Sequence, residues 1–566
     1  MGGRWRAVLA GAAALGALAG CTNAPPPPLV TTEVARTRIS AEPDVGEAVV
    51  GVDSVLGGYN PHKLADQSTV TTALAQTVLP SVFRPGADGT PRLDRTLMVS
   101  AEVTSAEPYT VDYRLRPEAA WSDSAPIAAE DFVYLWEQLR EAPGALDGAG
   151  YRLISNISAR EAGRVVEVTF AQPYPGWRSL FSGLLPAHLL KDIPGGWANA
   201  LRENYPVSGG PFAVRTLDRD RGEIVLERND RYWEAPAALD RIVLRRADLT
   251  GTTGALRTGH SQLALTALSA QGLAAVTALE PDVTITQVPR PAVATVLLRP
   301  VGTAMADQRV RTAIGALLDR RALIAAGTGG GPASAAVADS QVLAPSAPGY
   351  RATLPASRFA AVDQAGADAL LTEAGFTRVN GSWAFGQTPL NLVIAAPAGR
   401  EPYLAMAREL QRQLSAGGVQ SQLLTPPGDQ LFGELLAAPD PDEEPTTEVH
   451  LVVAPQPAGG DPATLPAVRF GCAPADADSG TPAVVNPGGY CDQATQPTLD
   501  AALTGSTPLT DALAALEPEL WSRTVAIPLY QEVDTLVVRR EMTGVSAGTP
   551  FAGPFAGAPG WRRAGG

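Results

Sequence analysis

Between Asn204 and Arg246 the chain reads NYPVSGGPFAVRTLDRDRGEIVLERNDRYWEAPAALDRIVLRR, and this stretch limits the possible folds more than any other. Ser208-Gly209-Gly210-Pro211 is turn chemistry, because glycine takes positive φ freely and proline fixes its own. Phe212, Val214 and Thr216 alternate with Ala213, Arg215 and Leu217, and Ile224 and Leu226 alternate with Val225 and Glu227. With Asp218 to Gly222 between the two runs, the spacing predicts a hairpin with one buried face. Tyr232-Trp233, a break at Pro236 and the run Leu239 to Leu244 then predict a returning strand.

The hairpin must sit in a larger body. At 566 residues the chain exceeds one ordinary core, and at about 150 residues per unit three or four structural units are expected. Hydrophobic residues at 45% against 18% charged make it globular, while 50 prolines and 56 glycines call for many loops. The formal net charge is −14, lysine occurs only at Lys63 and Lys191, and no basic run is present, which argues against a nucleic-acid partner.

The first residues carry an address. Arg4 and Arg6 precede an apolar run from Ala7 to Ala19 that is too short to span a bilayer and ends in Leu18-Ala19-Gly20-Cys21. This predicts a lipoprotein signal peptide over residues 1–20, with lipid attached at Cys21. The mature protein would be held on the extracytoplasmic face of the cell membrane by that anchor alone, on a Pro-rich tether over 21–45 that includes Pro25 to Pro28. Cys472 and Cys491 then remain as an even pair in an oxidising compartment, and a disulfide between them is expected.

Other phrases add local detail. Ala48 to Val55 reads as a buried strand, Gly57 to His62 as the loop leaving it, and Thr69 to Phe83 as a helix with Val70, Leu74, Val78 and Val82 on one face. Trp121-Ser122-Asp123-Ser124-Ala125-Pro126-Ile127 reads as a turn entering a helix. There, Glu130 and Asp131 suit the positive N-terminus, and Phe132, Leu135, Trp136 and Leu139 form the apolar stripe. Arg309-Val310-Arg311-Thr312-Ala313-Ile314 and Asp319-Arg320-Arg321-Ala322-Leu323-Ile324 read as two consecutive helices. Gly327 to Gly331 lacks the Lys-Ser/Thr of a phosphate loop and is expected to be an ordinary loop. The alternation of strands and helices from Leu390 to Leu424 predicts an α/β lobe.

Taken together, the Gly-Gly-Pro-Phe turn, the Leu-Glu-Arg-Asn strand end, Tyr232-Trp233, Leu239-Asp240-Arg241-Ile242, the Trp121 phrase, the Val310 and Asp319 helices and Ile527-Pro528-Leu529-Tyr530 resemble a known family. In this order they resemble the signature of the extracytoplasmic solute-binding proteins of ABC transporters, specifically the oligopeptide and dipeptide family (family 5). The resemblance implies a mixed α/β, two-lobed, periplasmic-binding-protein-like fold with a ligand cleft between the lobes. It implies an N-terminal lobe over 46–282, with a core of 46–85 and 204–282 and an extra subdomain of 86–203. A C-terminal lobe over 283–521 and a return to the first lobe over 522–566 complete the expected division. Ser124 stands where the family carries glycine, which leaves the form of that turn open.

No enzyme constellation is present: His62, His188, His260 and His450 are isolated, and neither His-Glu-x-x-His nor Gly-x-Ser-x-Gly occurs. No enzymatic activity, metal or cofactor is expected. The resemblance implies a monomer that captures a peptide-like solute for an ABC permease. In the family's peptide binders an Asp-Pro carboxylate pairs with the ligand's α-amine, and Asp461-Pro462 matches it here, with Asp440-Pro441 as a nearby competitor. The phrase Phe551 to Pro559 with Trp561, beside the lipid anchor and tether, resembles an actinobacterial branch. That branch is associated with an acylated phosphatidylinositol mannoside and with lipoarabinomannan synthesis. It supplies the alternative function, in which Tyr59, Trp121 and Trp177 would stack on sugar rings or cover an acyl chain. The ligand-binding candidates are therefore Tyr59, Asn60, Trp121, Trp177 and Asp461.

Overall fold

The computed structural model describes residues 46–437, 447–475, 482–484 and 486–564. Cys21, the Pro-rich tether and Asp440-Pro441 lie outside them. The strands that carry the architecture are, in chain order, β1 (Glu47–Val52), β2 (Met98–Ala106), β3 (Tyr109–Leu115), β4 (Ile154–Arg160) and β5 (Val165–Phe170). There follow β6 (Phe212–Asp218), β7 (Glu223–Arg228), β8 (Arg241–Arg246), β9 (Leu263–Thr266) and β10 (Val283–Leu298). The last are β11 (Asn391–Ala395), β12 (Gln420–Leu424), β13 (Leu451–Pro457) and β14 (Ala526–Arg539).

Ten of these form one mixed sheet in the order β12-β11-β13-β10-β14-β9-β1-β8-β7-β6. The hairpin lies at its edge, pairing Phe212 with Arg228 and Asp218 with Glu223. Phe212, Ile224, Leu226, Ile242 and Leu244 are fully buried. A bulge between Val214 and Thr216 interrupts the strict alternation, so Thr216 faces solvent rather than the core.

The two longest strands join the lobes. β10 and β14 are antiparallel neighbours from Val283 opposite Arg539 to Pro289 opposite Val533, and again from Val293 opposite Gln531 to Leu297 opposite Ala526. Between Pro289 and Val293 the register shifts. Leu536 and Val538 belong to the core that holds Leu74 and Leu263, whereas Ile527, Leu529 and Tyr530 belong to the core that holds Val296, Leu323 and Met406. The boundary between the cores therefore falls inside both strands.

Within the first lobe a four-stranded antiparallel sheet, β2-β3-β5-β4, packs with the helix Ala129–Glu141. Phe132, Leu135 and Leu139 are buried as their spacing predicts, and Trp136 is half-buried. Asp131 reaches back to accept the Ala128 N–H at 3.1 Å, completing the N-terminus, while Glu130 is exposed. The turn before this helix forms with Ser124 at φ 79°, a left-handed conformation natural to glycine.

The first helix spans Thr69–Val78, shorter than its apolar spacing predicts. Pro80 lacks the N–H that would continue it, and Leu79 is already extended. In the second lobe Asp307 and Asp319 cap the helices Gln308–Ala316 and Arg320–Thr328, accepting from Arg309 N–H at 2.8 Å and Ala322 N–H at 3.0 Å. The C-terminal Phe555 and Trp561 pack into the first core with ring centroids 5.1 Å apart. Cys472 and Cys491 are joined by a disulfide. Among the described residues no helix is long and apolar enough to cross a membrane.

Candidate ligand-binding cavity between the lobes

A cavity of about 910 Å³ opens where the two cores meet, near the upper end of the roughly 300–1,000 Å³ typical of small-ligand sites. Strand geometry builds its floor. Tyr530, Glu532 and Asp534 are two residues apart on β14 and so share a face, Arg290 lies opposite at the register shift of β10, and Asp53 directly follows β1. The walls come from Leu268 and Ser269 of the first lobe and from Gly327, Arg400 and Tyr403 of the second.

Charge dominates this floor. Arg290 pairs with Glu532 at 2.6 Å and lies 3.8 Å from Asp534. The Tyr403 hydroxyl donates to Glu532, the Thr69 hydroxyl donates to Asp534 at 2.6 Å, and the Ala267 N–H donates to Asp53 at 2.8 Å. Although Asp53 is open to solvent within the cavity, enclosure by the surrounding protein pushes its carboxyl up to about 7, with the Asp534 charge adding to the effect. Burial also raises Glu532 and Asp534 against the pull of Arg290. For Arg290, burial works to remove the charge, but Glu532, Asp534 and Asp53 together outweigh it and raise its pKa.

The lobes touch around the cavity. Arg400 of the second lobe donates to the carbonyls of Ala65 and Gln67 in the first. Arg202 pairs with Asp429 at 2.9 Å, and the Ala270 N–H donates to the Gly329 carbonyl at 3.1 Å. Gly331 approaches the first lobe so closely that a Cβ there would lie 1.7 Å from the Leu268 carbonyl oxygen, a distance only glycine allows. The loop that lacks phosphate-binding residues is thus a contact between lobes.

Comparison with known proteins agrees with this architecture. The model of the bacterial extracellular solute-binding proteins, family 5 Middle, matches residues 95–442. A probable monoacyl phosphatidylinositol tetramannoside-binding protein, LpqW of Mycobacterium tuberculosis, is 35% identical over 94% of this chain and 93% of its own. The chain belongs to family 5 of the bacterial extracellular solute-binding proteins. The oligopeptide-binding protein OppA of Mycobacterium bovis is 29% identical over 46% of this chain and 45% of its own. The Bacillus subtilis oligopeptide-binding protein AppA, solved in complex with a nonapeptide, superposes with a TM-score of 0.71 at 15% identity. It covers 92% of this chain and 99% of its own, and shares the fold.

In this family 5 protein none of the five residues singled out from sequence lines the cavity. Tyr59 is buried, accepts the Tyr205 hydroxyl at its carbonyl at 2.6 Å, and carries the Arg219 guanidinium 5.5 Å from its ring centre. Asn60 is buried and accepts the His62 N–H at 3.0 Å, shaping the loop whose Gly57 and Gly58 do reach the cavity. The Trp121 indole N–H donates to Asp131 at 3.2 Å. Trp177 packs edge-on against Phe83 and Tyr113 at 5.6 and 5.9 Å. Asp461 accepts the Thr464 hydroxyl at 3.2 Å, and Thr464 in turn meets the Tyr174 hydroxyl at 3.0 Å. The carboxyl of Asp147 is pushed up to about 7 by burial and then by the Asp461 charge.

The floor residues Asp53, Arg290, Glu532 and Asp534 and the wall residue Arg400 escaped sequence reasoning. One signal was available: Glu532 and Asp534 stand two apart between the apolar runs Ala526 to Tyr530 and Leu536 to Val538, so both carboxylates enter the interior on one face.

Proposed function

We propose that this family 5 protein is a lipid-anchored extracytoplasmic receptor whose interlobe cavity takes the sugar-bearing headgroup of an acylated phosphatidylinositol mannoside. The observation that carries this reading is the character of the cavity floor. It offers carboxylates, guanidinium groups and phenols beneath walls that include the apolar Leu56 and Leu268, a polar base with an apolar margin that suits an acylated sugar headgroup. The location of Asp461, bonded to Thr464 and outside the cavity lining, supports it further, because the Asp-Pro carboxylate that the family resemblance pairs with a peptide's α-amine does not face the cavity. So does the 35% identity over nearly the whole length to a relative named for binding such a glycolipid.

A second reading keeps the same scaffold as a receptor that captures a peptide-like solute and delivers it to an ABC permease. It is favoured by the oligopeptide-binding relative and by the fold shared with a nonapeptide complex. Native mass spectrometry of the purified soluble chain separates the two: a co-purified mannosylated lipid supports the first, and co-purified peptides support the second. Anchoring is tested by Cys21→Ala, which should release the protein from membranes, since one thiol would carry the acylation.

A further inference from the structure

The hydrogen-bond inventory of the cavity floor is incomplete in one direction. Asp53 uses Oδ2 for the Ala267 N–H and Asp534 uses Oδ2 for the Thr69 hydroxyl. Among the described residues no hydrogen bond reaches the second oxygen of either carboxylate. The two groups are neighbours, because β9 lies between β1 and β14 and the Ala267 N–H that holds Asp53 follows directly on the pairing of Thr266 with Thr535. Two residues before Glu532 on the same face, Tyr530 is 2% exposed at the cavity wall, and its hydroxyl has no hydrogen-bond partner among the described residues. A buried hydroxyl and two half-used carboxylates in one cavity call for a partner that both donates and accepts.

The charges around them narrow the class. A cation entering this floor meets Arg290, with Arg400 also lining the cavity, and an anion meets Asp53, Glu532 and Asp534. A neutral polyol meets neither penalty. Its vicinal hydroxyls donate to carboxylate oxygens, and its own oxygens accept from a phenol or a guanidinium. We propose that the floor running from Tyr530 past the Arg290–Glu532 pair to Asp534 and Asp53, about 13 Å along β14, is a subsite for consecutive neutral polyhydroxylated rings. The ligand therefore enters sugar first and leaves its phosphate and acyl parts toward the opening. This rests on the glycolipid reading and adds to it the residues that recognise the sugar and the direction of entry.

The test is titration calorimetry of the soluble chain with a neutral α-linked mannotetraose, which has neither phosphate nor acyl chain, alongside the intact glycolipid and a free-amine tripeptide. Wild type should bind the tetrasaccharide, and Asp53→Asn and Asp534→Asn should each weaken it by about tenfold or more. Tyr530→Phe removes only the hydroxyl and should weaken it severalfold, which decides the matter should either aspartate variant fail to fold. If the three variants bind tetrasaccharide as wild type does, or if wild type binds the glycolipid but not the tetrasaccharide, the subsite is overturned while the glycolipid reading stands. Binding of the tripeptide alone overturns both.

Discussion

One terminal nitrogen of Arg400 donates to the carbonyl oxygen of Ala65 at 2.7 Å, although the two residues are 335 apart in sequence and belong to different lobes. A second bond from the same guanidinium reaches Gln67. Hydrogen bonds from a charged donor contribute about 1.5–3 kcal/mol each when their partners are shielded. Arg400→Ala should therefore shift the balance toward separated lobes by about 2 kcal/mol, or roughly 30-fold. Small-angle scattering of the ligand-free variant should give a larger radius of gyration than wild type. An unchanged radius would mean that the contact does not hold the lobes together.

A pH dependence follows from Asp147. Burial, then the charge of Asp461, raises its carboxyl to about 7, with Arg152 opposing. Because the folded value exceeds the ordinary one near 4, its contribution to stability is complete below about pH 4 and is lost as pH rises through about 7. Asp147→Asn keeps a neutral side chain at every pH. Its melting temperature relative to wild type should rise between pH 5 and pH 8 by about 2 °C. Parallel melting curves across that range would sink the assignment.

Ser124 adopts φ 79°, a conformation that costs an L-residue about 1–2 kcal/mol. Glycine removes that strain but gains freedom in the unfolded chain and gives up the exposed hydroxyl contact with Arg231, so Ser124→Gly should stabilise by about 0.5 kcal/mol net. Ser124→Ala retains the strain and loses the contact between the hydroxyl and Arg231 at 3.1 Å, so it should not stabilise. Urea unfolding of the two variants distinguishes them.

The bond between Cys472 and Cys491 closes a loop with a sequence separation of 19. Chain entropy predicts a contribution of about 3 kcal/mol, and a paired Cys472→Ser, Cys491→Ser variant should lose that much or somewhat less by denaturant titration. Asn486 limits the loss, because its amide still ties Gly471 and Tyr490 together at 3.0 and 2.7 Å.

Much of the fold was legible because its determinants are local. The turn at Ser208 to Pro211, the alternation through Ile224 and Leu226 and the caps Asp307 and Asp319 act over a few residues. The cavity was less so. Its floor unites Asp53, Arg290, Glu532 and Asp534, which meet only when β1, β10 and β14 lie in one sheet. A large aromatic such as Trp121 or Trp177 stands out in sequence, yet size favours burial in a core as strongly as contact with a ligand. Helix length failed at Val78 for a related reason, since apolar spacing continues through Val82 while Pro80 ends the hydrogen-bond ladder.

The position of β14 between β9 and β10 has a consequence for how the protein comes into being. A ribosome releases the chain from the N-terminus, so β9 and β10 emerge long before the strand that separates them. Until Ala526 to Arg539 arrives, each presents an unpaired edge able to bind the wrong strand, of its own chain or another. The nascent protein cannot finish either lobe in turn; both wait for the same late segment. Truncation shortly before Ala526 should thus yield an aggregating polypeptide rather than one sound lobe and one damaged one.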